Sequence, residues 1–322
     1  MLERLVVPLD GSELAEWTLP HVVALARAFA SHVVFVRVLD TVQLGDLQMV
    51  VSPRRWRVFR TEAEAYLNSI VARLANTGIS METALLEGQA AERIIQFVRD
   101  PNSDLIVLSS HGRSGPSQWN ISSVTQKVLS GSSGSTLIVR SSRPGQDDIT
   151  QWRYKRLLVP LDGSLRAECV LPLATALARR SEAQLVVAHA VGKPEMPHRT
   201  PLTEEDDELV NRLVERNRVE ALSYFRQLQT RLPLELETRL VAGESVVSSL
   251  HDWVDQESAD LVILSAHGHS GETRHPYGSV ATSFVAYSTT SLLIYQDAPA
   301  EQTQAAREDA ATARSREAPM HA

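Results

Sequence analysis

One stretch of the sequence has the layout of an anion-binding loop. Residues 261–264 (LVIL) are short, apolar and rich in β-branched side chains, which predicts a strand buried on both faces. A small-residue loop follows (SAHGHSG, residues 265–271), and an apolar helical pattern begins at Gly278-Ser279. Glycines let backbone N–H groups approach an oxyanion, and a helix start adds free N–H donors and a positive dipole end. The candidate residues are Ser265, His267, Gly268, Gly271, Gly278 and Ser279.

The same layout occurs earlier, at residues 105–124 (LIVLSSHGRSGPSQWNISSV). Its candidate residues are Ser109, His111, Gly112, Gly115, Ser122 and Ser123. We expect His111 and His267 to fix the shape of their loops through a hydrogen bond, with ligand contact as the alternative. We do not expect either histidine to bind a metal.

A carboxylate turn accompanies each loop. The first contains Pro8, Asp10, Gly11 and Ser12, and the second contains Pro160, Asp162, Gly163 and Ser164. Each turn leaves the carboxyl end of a predicted strand, where open α/β sheets bind ligands. An aspartate repels phosphate but suits a ribose hydroxyl or a bridging divalent cation, so loop and turn together predict a nucleotide site. The alternative is that the glycines only form tight turns and Asp10 only caps a helix.

Composition limits the possible functions. A length of 322 residues favours two domains. The net charge of −7 argues against a nucleic-acid partner. The single cysteine, Cys169, excludes an intrachain disulfide. With no signal peptide and no apolar run long enough to span a membrane, we expect a cytoplasmic protein without a membrane partner. Motifs for a P-loop and for a nucleophile elbow are absent, so we assign no catalytic residues.

The chain repeats itself over half its length. Residues 5–12 read LVVPLDGS and residues 157–164 read LLVPLDGS. Each half shows the order βαβαβαβαβ, which predicts a parallel sheet with helices on both faces. The first long helix is predicted over Glu13–Ala30, and its counterpart over Leu165–Arg180. We predict domains at residues 1–142 (the first half) and 154–297 (the second half), a linker at 143–153, and a disordered tail at 298–322.

The paired motifs VPLDGS and SxHGxxG…GS resemble those of the universal stress protein family, in its tandem two-domain form. The resemblance implies two doubly wound five-stranded sheets with strand order 3-2-1-4-5. It also implies ATP or AMP as the ligand, with Mg²⁺ as a candidate companion ion. Paired domains of the family often meet through their last strands, here Ser135–Arg140 and Ser291–Tyr295, and a homodimer is a further expectation.

Both loops depart from the family pattern, in which nine residues separate the second and third glycines. Six residues lie between Gly271 and Gly278, and six between Gly115 and Ser122. The first loop also lacks the third glycine, and a Cβ at Ser122 hinders close approach of a phosphate. We therefore expect adenine nucleotide binding in the second half more than in the first.

The leading functional hypothesis is a nucleotide-responsive regulator of the stress response. One alternative is a nucleotide-free dimerising scaffold with degenerate sites, and another is an enzyme that hydrolyses ATP slowly. Two features stay open. The basic run Arg54, Arg55, Arg57 and Arg60 forms either a solvated helix face or a contact for an anionic partner. Trp119 either covers the crevice or packs between domains.

Overall fold

The computed structural model describes residues 2–39, 53–98, 105–112, 121–140, 149–194, 203–232, 236–269 and 276–296. Several predicted features lie outside these ranges: Gly115, Gly271, Trp119, the tail and most of the linker. Most of Thr41–Pro53, the segment that follows the second strand, also lies outside them. Within the described ranges, no helix is long and apolar enough to cross a membrane.

Strands and helices alternate in both halves. The strands of the first half are β1 (Arg4–Pro8), β2 (His32–Leu39), β3 (Ser80–Glu87), β4 (Leu105–Ser109) and β5 (Ser135–Val139). Its helices are α1 (Glu13–Glu16), α2 (Thr18–Phe29), α3 (Pro53–Leu74), α4 (Ala90–Val98) and α5 (Ser123–Gly131). The strands of the second half are β6 (Arg156–Pro160), β7 (Gln184–Gly192), β8 (Glu237–Gly243), β9 (Leu261–Ser265) and β10 (Leu292–Tyr295). Its helices are α6 (Leu165–Glu168), α7 (Leu171–Ser181), α8 (Glu204–Arg231), α9 (Val246–Glu257) and α10 (Ser279–Tyr287).

The prediction of one long helix after the first strand of each half is wrong in one respect. The structure has two consecutive helices there. Helix α1 ends at Glu16 and α2 begins at Thr18, and α6 and α7 are separated in the same way. Pro20 and Pro172 explain the break. A proline ring clashes with the carbonyl four residues earlier and has no N–H to donate, so it suits the first turn of a new helix and not the interior of a continuing one.

The described strands form one ten-stranded sheet in the order β3-β2-β1-β4-β5-β10-β9-β6-β7-β8. Each half therefore has the order 3-2-1-4-5, with parallel pairing throughout, and the predicted fold class is confirmed. The halves join where β5 and β10 pair antiparallel, with Leu137 opposite Leu293. Strand order reverses between β1 and β4 and between β6 and β9, which places a crevice beyond each pair.

A second contact between the halves lies on one face of the sheet. Helices α2 and α7 contribute side chains to a single buried apolar cluster. His21 and Tyr154 are buried beside it, and His21 Nδ1 lies 2.8 Å from the Tyr154 hydroxyl. Burial lowers the pKa of His21 to about 3, so this histidine is neutral near pH 7. Trp152 contacts both rings.

Candidate functional site

A cavity of about 620 Å³ lies in the second half, beyond the carboxyl ends of β6 and β9. Seven predicted site residues line it: Pro160, Asp162, Ser265, His267, Gly268, Gly278 and Ser279. Apolar side chains form part of its wall: Leu161, Ala190, Val246, Leu250, Leu264 and Val280. The structure thus brings the carboxylate turn and the glycine loop of this half to one space, as expected from their positions at neighbouring strand ends.

Asp162 is held by hydrogen bonds from two segments. Its Oδ1 accepts from the Ser164 backbone N–H at 2.9 Å and from the Ser164 hydroxyl at 2.6 Å. Its Oδ2 accepts from the His269 N–H at 2.6 Å. Burial alone would raise the pKa of Asp162, but these hydrogen bonds lower it below the usual 3.8, so the carboxylate is ionised near neutral pH.

Glycine at position 268 allows this contact between turn and loop. A Cβ on Gly268 would lie 2.2 Å from Asp162 Oδ2. Real Cβ atoms essentially never come this close to another residue's atoms. In the turn, Gly163 adopts φ +81°, a conformation that favours glycine. Ser164 caps α6 by accepting from the Ala167 N–H at 3.1 Å. Gly163 and Ser164 therefore shape the turn that presents Asp162.

The amino terminus of α10 forms another part of the cavity wall. Gly278 is the N-cap residue, and its N–H donates to the Ala266 carbonyl at 2.8 Å. Because glycine has no side chain, no side-chain cap satisfies the first turn of α10. Gly278, Ser279 and Val280 line the cavity. Within the part of the chain that the structure describes, N–H donors without a side-chain cap and the positive end of a helix dipole therefore face the cavity.

The two loop histidines are buried within the structure. His267 is 3% exposed, and its carbonyl accepts a hydrogen bond from the Ser265 hydroxyl at 2.5 Å. His111 is 7% exposed, and its Nδ1 lies 3.2 Å from the Ser110 hydroxyl. The His267 contact involves its backbone carbonyl and the His111 contact involves its ring, so the role of both histidines in fixing loop shape stays a prediction. His267 also lines the cavity, so ligand contact remains open for it.

The first half builds the same carboxylate turn. Asp10 Oδ1 accepts from the Ser12 N–H at 2.9 Å and from the Ser12 hydroxyl at 2.6 Å. Ser12 in turn caps α1, and a Cβ on Gly112 would lie 2.3 Å from Asp10 Oδ2. Pro8 and Ser109 end the strands β1 and β4. The carboxylate turn and Gly112 of this half therefore lie against each other as Asp162 and Gly268 do in the second half.

Position 122 differs from its counterpart in the second half. We expected Ser122 to begin the helix, but it is the N-cap residue and Ser123 is the first helical residue. The Ser122 hydroxyl accepts from the Thr125 N–H at 3.1 Å, while the Ser122 N–H donates to the Ser110 carbonyl at 2.6 Å. The start of α5 is thus partly satisfied by its own side chain, unlike the start of α10.

Sequence analysis missed one residue on the second strand of each half. Pro8 pairs with Val36 and Pro160 pairs with Ala188, so Arg37 and His189 occupy equivalent positions one residue later. Arg37 extends over the first turn, where a Cβ on Gly11 would lie 2.5 Å from its Nη1. At Gly163, no described residue other than its chain neighbours has an atom within 4 Å of the equivalent point. The sequence signal that could have identified both residues is a polar side chain within an otherwise apolar strand.

His189 lines the cavity of the second half. Burial lowers its pKa, although the nearby Asp162 charge acts in the opposite direction. His189 is therefore neutral near pH 7, whereas Arg37 carries a permanent charge. Among the described residues, no group of three or more histidine, cysteine, aspartate or glutamate side chains is arranged to hold a metal ion.

Comparison with known proteins places the chain in a family. The sequence profile of the universal stress protein family matches it twice, at residues 1–140 and 153–296. Universal stress protein MJ0531 of Methanocaldococcus jannaschii is 24% identical over 147 residues, which cover 44% of this chain and 85% of that protein.

Solved structures have the same fold over nearly the whole chain. A universal stress protein from Archaeoglobus fulgidus matches with a TM-score of 0.63 at 16% identity, covering 92% of this chain and all of that one. A Pseudomonas aeruginosa protein, crystallised as a candidate universal stress protein, matches with a TM-score of 0.67 at 14% identity, covering 96% and 98% of the two chains. The chain therefore belongs to the universal stress protein family, in its tandem two-domain form.

Proposed function

We propose that this protein binds an adenine nucleotide, ATP or AMP, in the cavity of the second half. The observation that carries the proposal is the uncapped start of α10 at Gly278, which lines the same cavity as the ionised Asp162. The cavity volume of about 620 Å³ lies within the range typical of small-molecule sites. An anion-binding end and a carboxylate in one space suit a ligand with both phosphates and hydroxyl groups.

The phosphates belong at the start of α10. Backbone N–H groups of a helix start bind phosphate because they are unsatisfied donors at the positive end of the dipole. Gly278 has φ −69°, and its nearest potential Cβ contact is the Ala266 carbonyl oxygen at 3.5 Å. Glycine is therefore not needed there for the fold itself. Its role in the proposal is to leave the N–H groups open to a ligand.

The ribose belongs at Asp162. The carboxylate repels phosphate, so the phosphates lie away from it, and it accepts hydrogen bonds from sugar hydroxyls. Ser164 and His269 already fix its orientation, so little freedom is lost when a ribose binds. The apolar wall formed by Ala190, Val246 and Leu250 suits the faces of a purine.

Magnesium enters the proposal only with the nucleotide. Mg²⁺ prefers oxygen ligands and is commonly held by substrate phosphates, waters and one or two carboxylates. Asp162 is the one acidic side chain among the described residues that line the cavity. The protein thus offers Mg²⁺ a single carboxylate. The nucleotide phosphates and waters would supply the other ligands of the ion.

We infer that the protein acts as a nucleotide-responsive regulator in the stress response rather than as a fast enzyme. The described lining residues include no lysine or arginine. Phosphoryl transfer needs such cations, or metal ions, to stabilise charge on the transferred group. Binding that favours one conformation over another is the simpler use of this site.

The test is calorimetric titration of the full chain with ATP, AMP and GTP, in the presence and absence of Mg²⁺. We expect one adenine nucleotide per chain and weaker binding of GTP. Nucleotide released by denaturing the purified protein, identified by mass, would provide independent support. If no adenine nucleotide binds at millimolar concentration, the scaffold hypothesis replaces this one. Multiple-turnover release of phosphate would instead identify a slow ATPase.

A further inference from the structure

Helix α10 packs on α9 of its own half, and His251 Nε2 lies 3.0 Å from the Ser283 hydroxyl. It has nine residues, Ser279–Tyr287, and only Ala281 and Phe284 are buried. The Phe284 ring stacks on His251 with centroids 4.3 Å apart. A helix of this length spans about 14 Å and moves as a rigid unit. Contacts at either of its ends therefore help to position its amino terminus.

The first half holds the carboxyl end of α10. Arg140, which directly follows β5, is 4% exposed. Its Nη2 donates to the Phe284 carbonyl at 3.1 Å and to the Val285 carbonyl at 2.6 Å. A cation that satisfies the last carbonyls of a helix also complements the negative end of the dipole. Burial lowers the pKa of Arg140 to about 10, which leaves it charged at neutral pH.

The other end of α10 also contacts the first half. Tyr277 directly precedes the N-cap residue Gly278, and both line the cavity. The Tyr277 hydroxyl donates to the Leu129 carbonyl of α5 at 3.3 Å. The helix that forms the proposed phosphate site is therefore attached at each end to residues of the first half.

The reverse arrangement is not present at the equivalent position. Arg140 N–H donates to the Ser291 hydroxyl at 3.2 Å, and Gln296 N–H donates to the Ser135 hydroxyl at 3.1 Å, so Arg140 and Gln296 are counterparts across the β5–β10 pair. The side-chain amide of Gln296 is buried without a hydrogen-bond partner among the described residues.

The amino-terminal turn of α5 is held by residues of its own half. The Thr125 hydroxyl donates to the Ser109 carbonyl at 2.9 Å, and Ser122 caps the helix. Ala281 occupies the position in α10 that corresponds to Thr125 and offers no such hydrogen bond. Among the described residues, the pair of hydrogen bonds from Arg140 to the last turn of α10 therefore has no counterpart at α5.

We propose that Arg140 is a positioning residue for the nucleotide site of the second half, acting through α10. The inference rests on the proposed function. It gives the first half a role that does not require a nucleotide in its own crevice: it holds the helix whose amino terminus receives the phosphates.

The experiment compares three variants of the full chain by calorimetry with ATP, at a temperature well below unfolding. Arg140→Met keeps the apolar length and removes the donors, and we expect affinity to fall about fivefold, within the range found for residues that act at a distance. Arg140→Lys keeps a charged donor and should recover most of the affinity. Gln296→Met is the matched control at the counterpart position and should bind ATP as the wild type does.

A measurement without ligand separates this inference from the proposed function. Amide hydrogen exchange in α10 should be faster in Arg140→Met than in the wild type or in Gln296→Met, whether or not ATP binds. If the wild type binds no ATP, the proposed function fails and hydrogen exchange alone decides whether Arg140 positions α10. Equal exchange, or an equal loss of affinity in Arg140→Met and Gln296→Met, would overturn the inference.

A variant at the opposite end of α10 provides a test if Arg140→Met does not fold. Tyr277→Phe removes only the hydroxyl that contacts Leu129. We expect about twofold weaker ATP binding and faster exchange of the Thr282 amide, the first amide of α10 that makes an intrahelical hydrogen bond. If Arg140→Met does not fold, unchanged binding and unchanged exchange in Tyr277→Phe would overturn the inference.

Discussion

The two crevices share the same carboxylate turn, yet two of the described positions near it differ. In the first half, the Arg37 guanidinium lies over Gly11 and the Ser122 hydroxyl caps α5. In the second half, the space over Gly163 is open and α10 begins without a side-chain cap. The shared parts maintain the fold of the turn, because Asp10 and Asp162 make the same hydrogen bonds to the following serine. The parts that differ are those that a ligand would contact.

The shortened loop is common to both halves, so it does not account for the difference in nucleotide binding that we propose between them. Both loops have the same number of residues between the second glycine and the N-cap position. What separates the halves is whether the protein supplies its own groups to the crevice. A guanidinium and a hydroxyl occupy in one half the positions that the other leaves to a ligand.

Removing the carboxylate of each turn should give the largest difference between the halves in its effect on nucleotide affinity. Asp162→Ala should weaken adenine nucleotide binding by about 1–3 kcal/mol, the scale of a hydrogen bond to a charged group. Asp10→Ala should leave affinity nearly unchanged, although it removes the same hydrogen bonds to the following serine. Calorimetry on both variants makes the comparison. Equal affinity in Asp162→Ala and the wild type would rule out the ribose contact.

Giving each helix the N-cap residue of the other should have a smaller effect on nucleotide affinity. Gly278→Ser gives α10 a cap like that of α5, which competes with a phosphate for the same N–H groups, and we expect a loss of affinity of about 1 kcal/mol. Ser122→Gly should not change binding in the second half. Circular dichroism confirms folding of each variant. Unchanged affinity in folded Gly278→Ser would show that phosphates do not bind at this helix.

Converting the first crevice tests the comparison from the other side. The double variant Arg37→His, Ser122→Gly gives the first half the residues of the second at both differing positions. We expect a second, weaker binding event, detected as an increase in nucleotide stoichiometry by calorimetry. The single variants should not show it. If the double variant still binds one nucleotide, a residue outside this pair closes the first crevice.

The smallest expected effect is on stability in acid. Hydrogen bonds hold the pKa of Asp162 below its unfolded value of 3.8, so its ionised form stabilises the fold above that pH and loses this contribution as pH falls through the folded pKa. Asp162→Asn cannot titrate. The difference in thermal midpoint between wild type and Asp162→Asn should therefore narrow between about pH 5 and pH 3. A constant difference would contradict the lowered pKa.

Much of the fold follows from local patterns that the sequence states directly. Buried parallel strands are continuous apolar runs, and a repeated VPLDGS turn marks the same strand end twice. The broken helices at Pro20 and Pro172 were missed because their apolar periodicity continues across the break. The contacts of Arg37, Arg140 and Tyr277 were beyond reach for another reason. Each depends on where a long side chain lies across the sheet or between the halves, which sequence spacing does not encode.

The antiparallel pairing of β5 with β10 has a consequence for how this molecule can change. In a symmetric dimer of separate identical chains, every substitution at the contact appears on both sides at once. Joining the two copies in one polypeptide removes that restriction and also fixes the effective concentration of each partner, so dilution does not separate them. One copy can then specialise in ligand capture while the other gives up its own ligand, and an arginine can face a glutamine across a pseudo-twofold axis.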